Sequence, residues 1–319
     1  MKALICGVGG QDGAYLTRLL LEKGYEIVGT SRDAMTSSFG NLERLEIRHN
    51  IQTVSMAISD FRSVLQTVKT YLPDEIYNLS GQSSVSLSFD QPVETMDSIA
   101  GGTLNLLEAI RFVDRPIRLY SAGSSECFGD TGTVAAREDT PFNPRSPYAV
   151  AKASAHWLVH NYRDAYGLFT CTGILFNHES PLRPERFVTQ KIVCAAARIA
   201  RGSKEKLSLG NINIQRDWGW APDYVDAMWR ILQTDTPDDY VIATGRTVSL
   251  EYFIERAFGF FSLKWKDHVK SDSTLLRPSD ILVSRADPTK ARMKLAWSHN
   301  ADVDAVIEHM CDAAIKASP

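Results

Sequence analysis

The sequence predicts an α/β fold, a doubly wound parallel sheet with a smaller α+β part at its C-terminal end. Three observations predict it. Short apolar runs that read as strands alternate with helical patterns from the start of the chain to about Phe176. A glycine-rich turn stands between the first strand and the first helix. From Asn177 the composition changes, and His178–Arg186 becomes rich in Pro, Arg and Glu with no periodicity.

The elements follow in order. Ala3–Gly7 is a short apolar strand, and Ala14–Lys23 reads as a helix with Leu16, Leu19 and Leu20 on one face. Between them lie Gly7, Gly10, Gln11, Asp12 and Gly13. The three glycines give G-x-x-G-x-x-G, a variant of the dinucleotide fingerprint. Glycine lets the backbone turn tightly and approach a pyrophosphate seated on the helix N-terminus. Tyr25–Thr30 is the second strand. A site for NAD places an acid at its end, on the ribose hydroxyls. Here Ser31 and Arg32 follow, and an arginine suits a 2′-phosphate, which favours NADP over NAD; a solvated loop arginine is the alternative.

Gln52–Met56 is the third strand, Asp60–Lys69 a helix and Asp74–Leu79 the fourth strand. The strand end runs into the small polar stretch Ser80–Ser84, which includes Ser83 and allows close approach to a cofactor. Thr103–Arg111 is helical, with Leu104, Leu107 and Ile110 on its apolar face. Pro116–Tyr120 is a strand, and Ser124 and Glu126 follow at its carboxyl end, where doubly wound sheets place ligands. Tyr148 and Lys152 are four residues apart on a helix that continues to about Tyr166, so they share a face. A nearby ammonium lowers a tyrosine pKa and makes the phenol a usable acid/base. His156 and His160 are also four apart, but no third ligand lies at metal spacing, and a packed helix face is expected instead of a metal site.

Thr170–Phe176 is a strand, Phe187–Arg201 a helix, Asp223–Thr234 a helix and Tyr240–Ala243 a strand. Leu250–Phe261, an Arg277-Pro278 turn and Asp304–Ala317 complete the C-terminal part. Arg183, Lys191 and Arg216 are candidates to hold a diphosphate, which arginine binds through two parallel hydrogen bonds.

Composition narrows the class. The 319 residues carry a net charge of −3, which does not favour a nucleic-acid surface. No run of eighteen apolar residues exists, so no membrane span is expected. The chain opens into the strand-like run Lys2–Cys6, from which no signal peptide is expected. Its five cysteines are scattered, odd in number and without a C-x-x-C pair, which is the pattern of reduced thiols in a cytoplasmic protein.

Taken together, Gly10–Gly13, Tyr77–Leu79, Pro144–Tyr148, Gly173–Pro181, Arg216–Gly219 and Asp239–Gly245 resemble the extended short-chain dehydrogenase/reductase family and, within it, the GDP-mannose 4,6-dehydratases. The resemblance implies a dinucleotide-binding Rossmann domain over 1–176 with a return segment at about 222–248. It implies a nucleotide-sugar-binding domain over 177–221 and 249–319. It also implies roles. Ser124 polarises the sugar O4. Tyr148 takes the proton of the 4-hydroxyl while hydride leaves C4. Lys152 holds the nicotinamide ribose, and Glu126 removes the C5 proton so that water can leave before hydride returns to C6. Leu79 falls in the cofactor site, and Ser83, Asn177, Arg183, Lys191, Arg216 and Arg277 fall in nucleotide-sugar-binding stretches. A homodimer or homotetramer is implied, with the loop Asp33–Arg44 reaching a neighbouring subunit's cofactor.

Several positions depart from the family pattern: Asp33 follows Arg32 in place of a second arginine, Ala57 replaces an Asp, Ser84 a His, Pro184 and Arg186 a Gly and a Thr, and Gln190 an Arg. These lie in binding loops. They leave open a dehydratase or reductase acting on another GDP-sugar, and fold alone leaves open a non-catalytic NADP-binding protein. Glu126 is the discriminating residue, because epimerases and reductases need no C5 base. A strand-end carboxylate bonded to nearby amides is the structural alternative for it.

Overall fold

The computed structural model describes residues 1–316. The expected end of the last helix at Ala317 lies outside them. The main sheet holds seven strands: β1 Lys2–Cys6, β2 Glu26–Ser31, β3 Gln52–Ser55, β4 Glu75–Asn78, β5 Arg118–Ala122, β6 Thr170–Leu175 and β10 Tyr240–Ile242. Their order is β10-β6-β5-β4-β1-β2-β3, and every neighbouring pair is parallel. Strand β1 therefore sits between β2 and β4, and the chain winds away from it in both directions. That reversal opens a crevice beyond the carboxyl ends of β1 and β4.

The helices in chain order are α1 Gln11–Glu22, α2 Gly40–Arg44, α3 Phe61–Tyr71, α4 Val85–Asp90, α5 Pro92–Met96, α6 Gly102–Val113 and α7 Pro147–Tyr166. They continue as α8 Val188–Ala200, α9 Ala221–Leu232, α10 Leu250–Phe260, α11 Thr289–Leu295 and α12 Val303–Lys316. Alternation along the strands sorts the core onto two faces. Ala3, Ile5, Tyr77 and Tyr120 meet Leu16 and Leu20 of α1 and Met228 and Ile231 of α9. Leu4, Cys6, Ile76 and Leu119 meet Leu106 and Ile110 of α6 and Val159 of α7 on the other face. Leu16 and Leu20 are fully buried, each worth ~1.5–3 kcal/mol relative to exposure.

Beyond Leu175 the chain leaves the main sheet. Strand β7 (Asn177–Glu179) pairs parallel with β9 (Gln215–Trp220), and β11 (Thr247–Ser249) pairs antiparallel with β9. Strands β8 (Leu207–Leu209) and β12 (Val269–Ser271) form a further parallel pair. Helices α8, α10 and α12 pack around Trp218 in a separate buried cluster.

Two local features differ from the sequence reading. Helix α1 starts at Gln11 rather than Ala14, because Gly10 has extended backbone and Gly13 already lies in the first turn. The segment from Val85 to Gly101 is helical, through α4, α5 and a wider turn over Asp97–Gly101 that runs into α6. Its start is capped by Ser84 Oγ accepting from Leu87 N at 3.3 Å, and Pro92 restarts it at a position where no N–H is needed.

Candidate active site

The crevice is built on glycines for a steric reason. Gly7 has φ +83°, and a Cβ there would lie 2.7 Å from the Leu79 carbonyl oxygen. A Cβ at Gly13 would lie 2.5 Å from Gly7 O and 2.7 Å from Val8 Cα. The ends of β1 and β4 and the first turn of α1 can approach this closely only without side chains. Gly10 closes the turn by donating its N–H to Gly7 O at 3.1 Å. The result is a helix N-terminus open to an anion, the cradle a dinucleotide pyrophosphate fits.

Gln11 and Asp12, expected at the cofactor, turn their side chains to the 178–182 segment. Gln11 Oε1 accepts from Ser180 Oγ at 2.7 Å, and Asp12 Oδ2 stands 2.9 Å from His178 Nε2. Asp12 still borders the pocket. Burial alone would raise its pKa, but His178 beside it holds the carboxyl down at about 2. Arg32 lies on the surface, its side chain 84% exposed and 3.7 Å from Glu94 Oε1. The loop after β2 folds over its own chain's glycine turn: Asn41 Nδ2 donates to Gly9 O at 3.1 Å and Arg44 to Pro181 O at 3.1 Å.

A cavity of about 380 Å³ opens between the carboxyl ends of the main sheet and the C-terminal part. Leu79, Ser83, Ser124, Glu126, Tyr148, Lys152, Asn177, Arg183, Lys191, Arg216 and Arg277 all line it. Ser146 starts α7 by accepting from Ala149 N at 3.1 Å, with Pro147 in the first turn. This cap sets the rotation of the helix, and Tyr148 and Lys152 both face the pocket as the spacing predicts. Ser124 caps a short turn over Ser125–Phe128, accepting from Glu126 N at 3.3 Å. Its hydroxyl lies near enough to the Tyr148 phenol to favour the phenolate.

The electrostatics differ from the sequence expectation at one point. Lys152 donates to the Ala122 carbonyl at 2.7 Å, and its Nζ lies 5.9 Å from the centre of the Tyr148 ring. Burial pushes the Tyr148 phenol up, and the Ser124 hydroxyl only partly offsets this. Burial also lowers Lys152 to about 8. In the protein alone the phenol is therefore neutral, and the lysine is poised to titrate. Glu126 is raised by burial, against the pull of Arg216 and Arg277 and with a push from Asp280. A raised carboxyl exchanges protons more readily in both directions near neutral pH.

The predicted diphosphate groups are not equally available. Arg183 is tied down: its Nε donates to Glu179 Oε2 at 2.9 Å, and that carboxylate also accepts from Thr189 Oγ1 at 2.7 Å. Lys191 Nζ donates to Ser208 O at 2.8 Å. Arg216 and Arg277 each lie 3.6 Å from Asp280 Oδ1, and Arg277 also reaches Ser86 Oγ at 3.2 Å. The histidine pair of α7 packs as expected of a helix face, with His156 4.9 Å from the Phe142 ring and 5.1 Å from Trp157. Among the described residues no group of three His, Cys, Asp or Glu could hold a metal, and no helix is long and apolar enough to cross a membrane.

Comparison with known proteins adds to this geometry. The family model described as GDP-mannose 4,6 dehydratase matches residues 4–310. The chain is 46% identical over 320 residues to a protein named GDP-mannose 4,6 dehydratase 1 from Arabidopsis thaliana, covering 97% of this chain and 88% of that one. This chain belongs to the GDP-mannose 4,6-dehydratase family. Its members are hydro-lyases that depend on a nicotinamide cofactor. Among solved structures, the chain is similar to a dTDP-glucose 4,6-dehydratase from Bacillus anthracis in complex with NAD, at 19% identity and TM-score 0.87 over 100% of this chain and 97% of that one. It is also similar to a protein titled RMD from Pseudomonas aeruginosa complexed with NADPH, at 20% identity and TM-score 0.83 over 99% of each. At these identities the likeness is one of fold.

Within the dehydratase pocket, three residues escaped the sequence reading. Asp280 stands three positions after Arg277, a spacing that could have drawn attention to it. Glu179 lies inside the stretch that carried the resemblance, but nothing local marks it as the partner of Arg183. Ser86 meets Arg277 across 191 positions. Local periodicity carries no signal for such a pairing.

Proposed function

We propose that this chain converts GDP-mannose to GDP-4-keto-6-deoxymannose and water through an internal redox cycle on NADP. The observation that carries the reading is Glu126, a half-buried carboxyl of raised pKa in the same pocket as Ser124, Tyr148 and Lys152. Reduction or epimerisation at C4 needs the last three but has no use for a carboxylate that takes a proton from C5.

When bound, the cofactor supplies a hydride acceptor at C4 and a hydride donor at C6. The chain's own groups do the rest. Tyr148 accepts the proton of the 4-hydroxyl, and Ser124, near the phenol, orients O4. Lys152, held on the Ala122 carbonyl, would hold the nicotinamide ribose and, while charged, would favour the phenolate. Glu126 takes the C5 proton once C4 is a ketone, and the same carboxyl returns a proton to the departing C6 hydroxyl. Arg216 and Arg277, aligned on Asp280, offer two guanidinium groups to the diphosphate. Asn177, Ser83, Lys191 and Arg183 belong to the same lining.

NADP rather than NAD is supported by Arg32, exposed at the end of β2 where the adenosine ribose of a doubly wound fold lies. Residues 1–176 with a return at about 222–248 would bind the cofactor, and 177–221 with 249–319 the sugar nucleotide. The return of β10 beside β6 fits that division. A cytoplasmic homodimer or homotetramer fits the five unpaired cysteines and the family pattern.

Mass spectrometry of GDP-mannose incubated with the purified protein, without added reductant, tests the reading. Loss of one water with no net change in cofactor supports it. Unchanged GDP-mannose, with the cofactor site filled, overturns it.

A further inference from the structure

His178 is the residue of the pocket whose chemistry the proposed reaction leaves unused. Its ring is buried and stacks on Tyr224, with centroids 4.5 Å apart and an interplanar angle of 22°. Both ring nitrogens have a single near partner. Nδ1 lies 2.7 Å from the Phe176 carbonyl oxygen, and Nε2 lies 2.9 Å from Asp12 Oδ2. A carbonyl oxygen only accepts, so Nδ1 carries a proton. Asp12 sits in the first turn of α1, where the helix dipole favours an anion, and its other oxygen accepts from Gln11 Nε2 at 2.9 Å. Its Oδ2 is therefore an acceptor too, and Nε2 also carries a proton. The ring is assigned as an imidazolium by its partners alone.

The surrounding charges agree with that assignment. Asp12 faces the ring from α1, and Lys152 of α7 and Arg183 of the loop after β7 also act on Asp12. Glu179 of β7 is occupied by Arg183 and Thr189. Tyr15 of α1, Tyr120 of β5 and Tyr224 of α9 contribute phenols that burial keeps neutral. Asp12 is thus the anion that compensates the ring.

The position of this pair matters. Phe176 is where the chain leaves the seven-stranded sheet, and Asn177 opens the strand that joins the smaller sheet. His178 holds that elbow from both sides, through Phe176 behind it and Asp12 across 166 positions. Its own carbonyl accepts from Gln11 Nε2 at 3.3 Å and from Arg183 at 2.5 Å.

We propose that His178 is a positioning residue: as an imidazolium paired with Asp12, it clips the glycine turn to the strand that carries Asn177, so that cofactor and sugar nucleotide are held in one frame. The clip holds through both ring nitrogens at once, Nδ1 on the Phe176 carbonyl and Nε2 on Asp12. The functional half of this inference rests on the dehydratase reading above; the protonation half does not.

Two variants and two readouts test it in the full-length enzyme. In D12N an amide can still donate to a neutral His178, so the hydrogen bond survives while the ion pair is lost. In H178F the stack on Tyr224 survives while both donors are lost. With ¹⁵N-histidine labelling and H178F to assign the signal, His178 should show two protonated nitrogens at pH 7 in the wild type. In D12N it should show a single protonated nitrogen, Nδ1. H178F should raise the KM for GDP-mannose about tenfold or more and release bound cofactor on gel filtration, since loss of alignment is costly. D12N should raise KM by less, because the hydrogen bond between the two side chains survives. A neutral His178 in the wild type at pH 7 overturns the proposal. So does an H178F enzyme that is less heat-stable but keeps its KM and its cofactor, which is the behaviour of a purely structural histidine. If the wild type does not turn over GDP-mannose, the dehydratase reading fails, and the nitrogen signals with cofactor retention still decide on the clip.

Discussion

Lys152 bonds the main-chain carbonyl of Ala122, at 2.7 Å, rather than the phenol of Tyr148 one helical turn away. The pair shares a face, the ammonium 5.9 Å from the ring centre and bonded elsewhere. Burial acts on the two in opposite directions, raising the phenol and lowering the ammonium to about 8. The lysine thus supports the phenolate only through its charge, and only while it is protonated. K152M should lower kcat by ~10²-fold or more, the scale of positioned proton transfer. It should also move the acidic limb of kcat/KM to higher pH, because a phenol without a nearby cation ionises later. A pH–rate profile of the variant checks this; a limb that stays in place would assign Lys152 to ribose binding alone.

In the proposed reaction Glu126 serves dehydration and not oxidation, so the two steps can be read apart. E126Q preserves the shape of the side chain and removes the base. Overall turnover is expected to fall by ~10²–10⁴-fold. Oxidation at C4 should continue for part of one turnover, read as reduced-nicotinamide absorbance on mixing with GDP-mannose. A variant that loses both steps equally would place Glu126 in binding.

Asp280 joins two effects that can be measured apart. It lies 3.6 Å from Arg216 and from Arg277, and its charge raises Glu126. D280N should raise the KM for GDP-mannose, as both guanidinium groups lose their common anchor. The sign for Glu126 is the reverse of the Lys152 case. Removing a negative neighbour lowers the carboxyl pKa, so the acidic limb of kcat should move to lower pH. Steady-state kinetics across pH would report both shifts in one experiment.

Arg32 tests the cofactor. Its side chain is exposed, with Glu94 3.7 Å away, so its removal costs the fold little. R32A should weaken NADP binding by about tenfold, the loss of a charge-assisted contact, and leave NAD binding unchanged. Calorimetric titration with both dinucleotides checks it. Equal affinities in the wild type would remove the basis for preferring NADP.

The parts of the molecule that were legible in the sequence are those where the signal is local. Strand alternation such as Ala3-Leu4-Ile5-Cys6 reports which face each residue takes, and the two core clusters follow it. The Tyr148–Lys152 spacing reports one helix face, and the Ser146-Pro147 start of that helix is a local cap. Pairings between distant segments leave no such trace. Asp12 and His178 are 166 positions apart, and the glycine motif pointed Asp12 to the cofactor instead. Arg183 looked like a free cation until Glu179 was found beneath it. Val85–Gly101 lacks a helical apolar stripe because its helices, of six and five residues, are too short for one to show.

Gly13 carries the steric argument furthest, because its neighbours are backbone and cannot move aside. A Cβ there would lie within 2.8 Å of Gly7 O, Val8 Cα and Val8 C. G13A must push α1 away from the end of β1, an overpacking that costs ~1–3 kcal/mol. The same displacement moves the helix N-terminus from the place where a pyrophosphate would sit. Two results are expected together: a lower Tm in the cofactor-free enzyme, and loss of the stabilisation that added NADP gives the wild type. G24A is the control, since nothing lies within 4 Å of a Cβ there, although its φ of +79° will still cost some stability. That variant should lose Tm and keep the full NADP-induced rise. If G13A also kept the full rise, the glycine turn would be a packing device rather than the cofactor cradle.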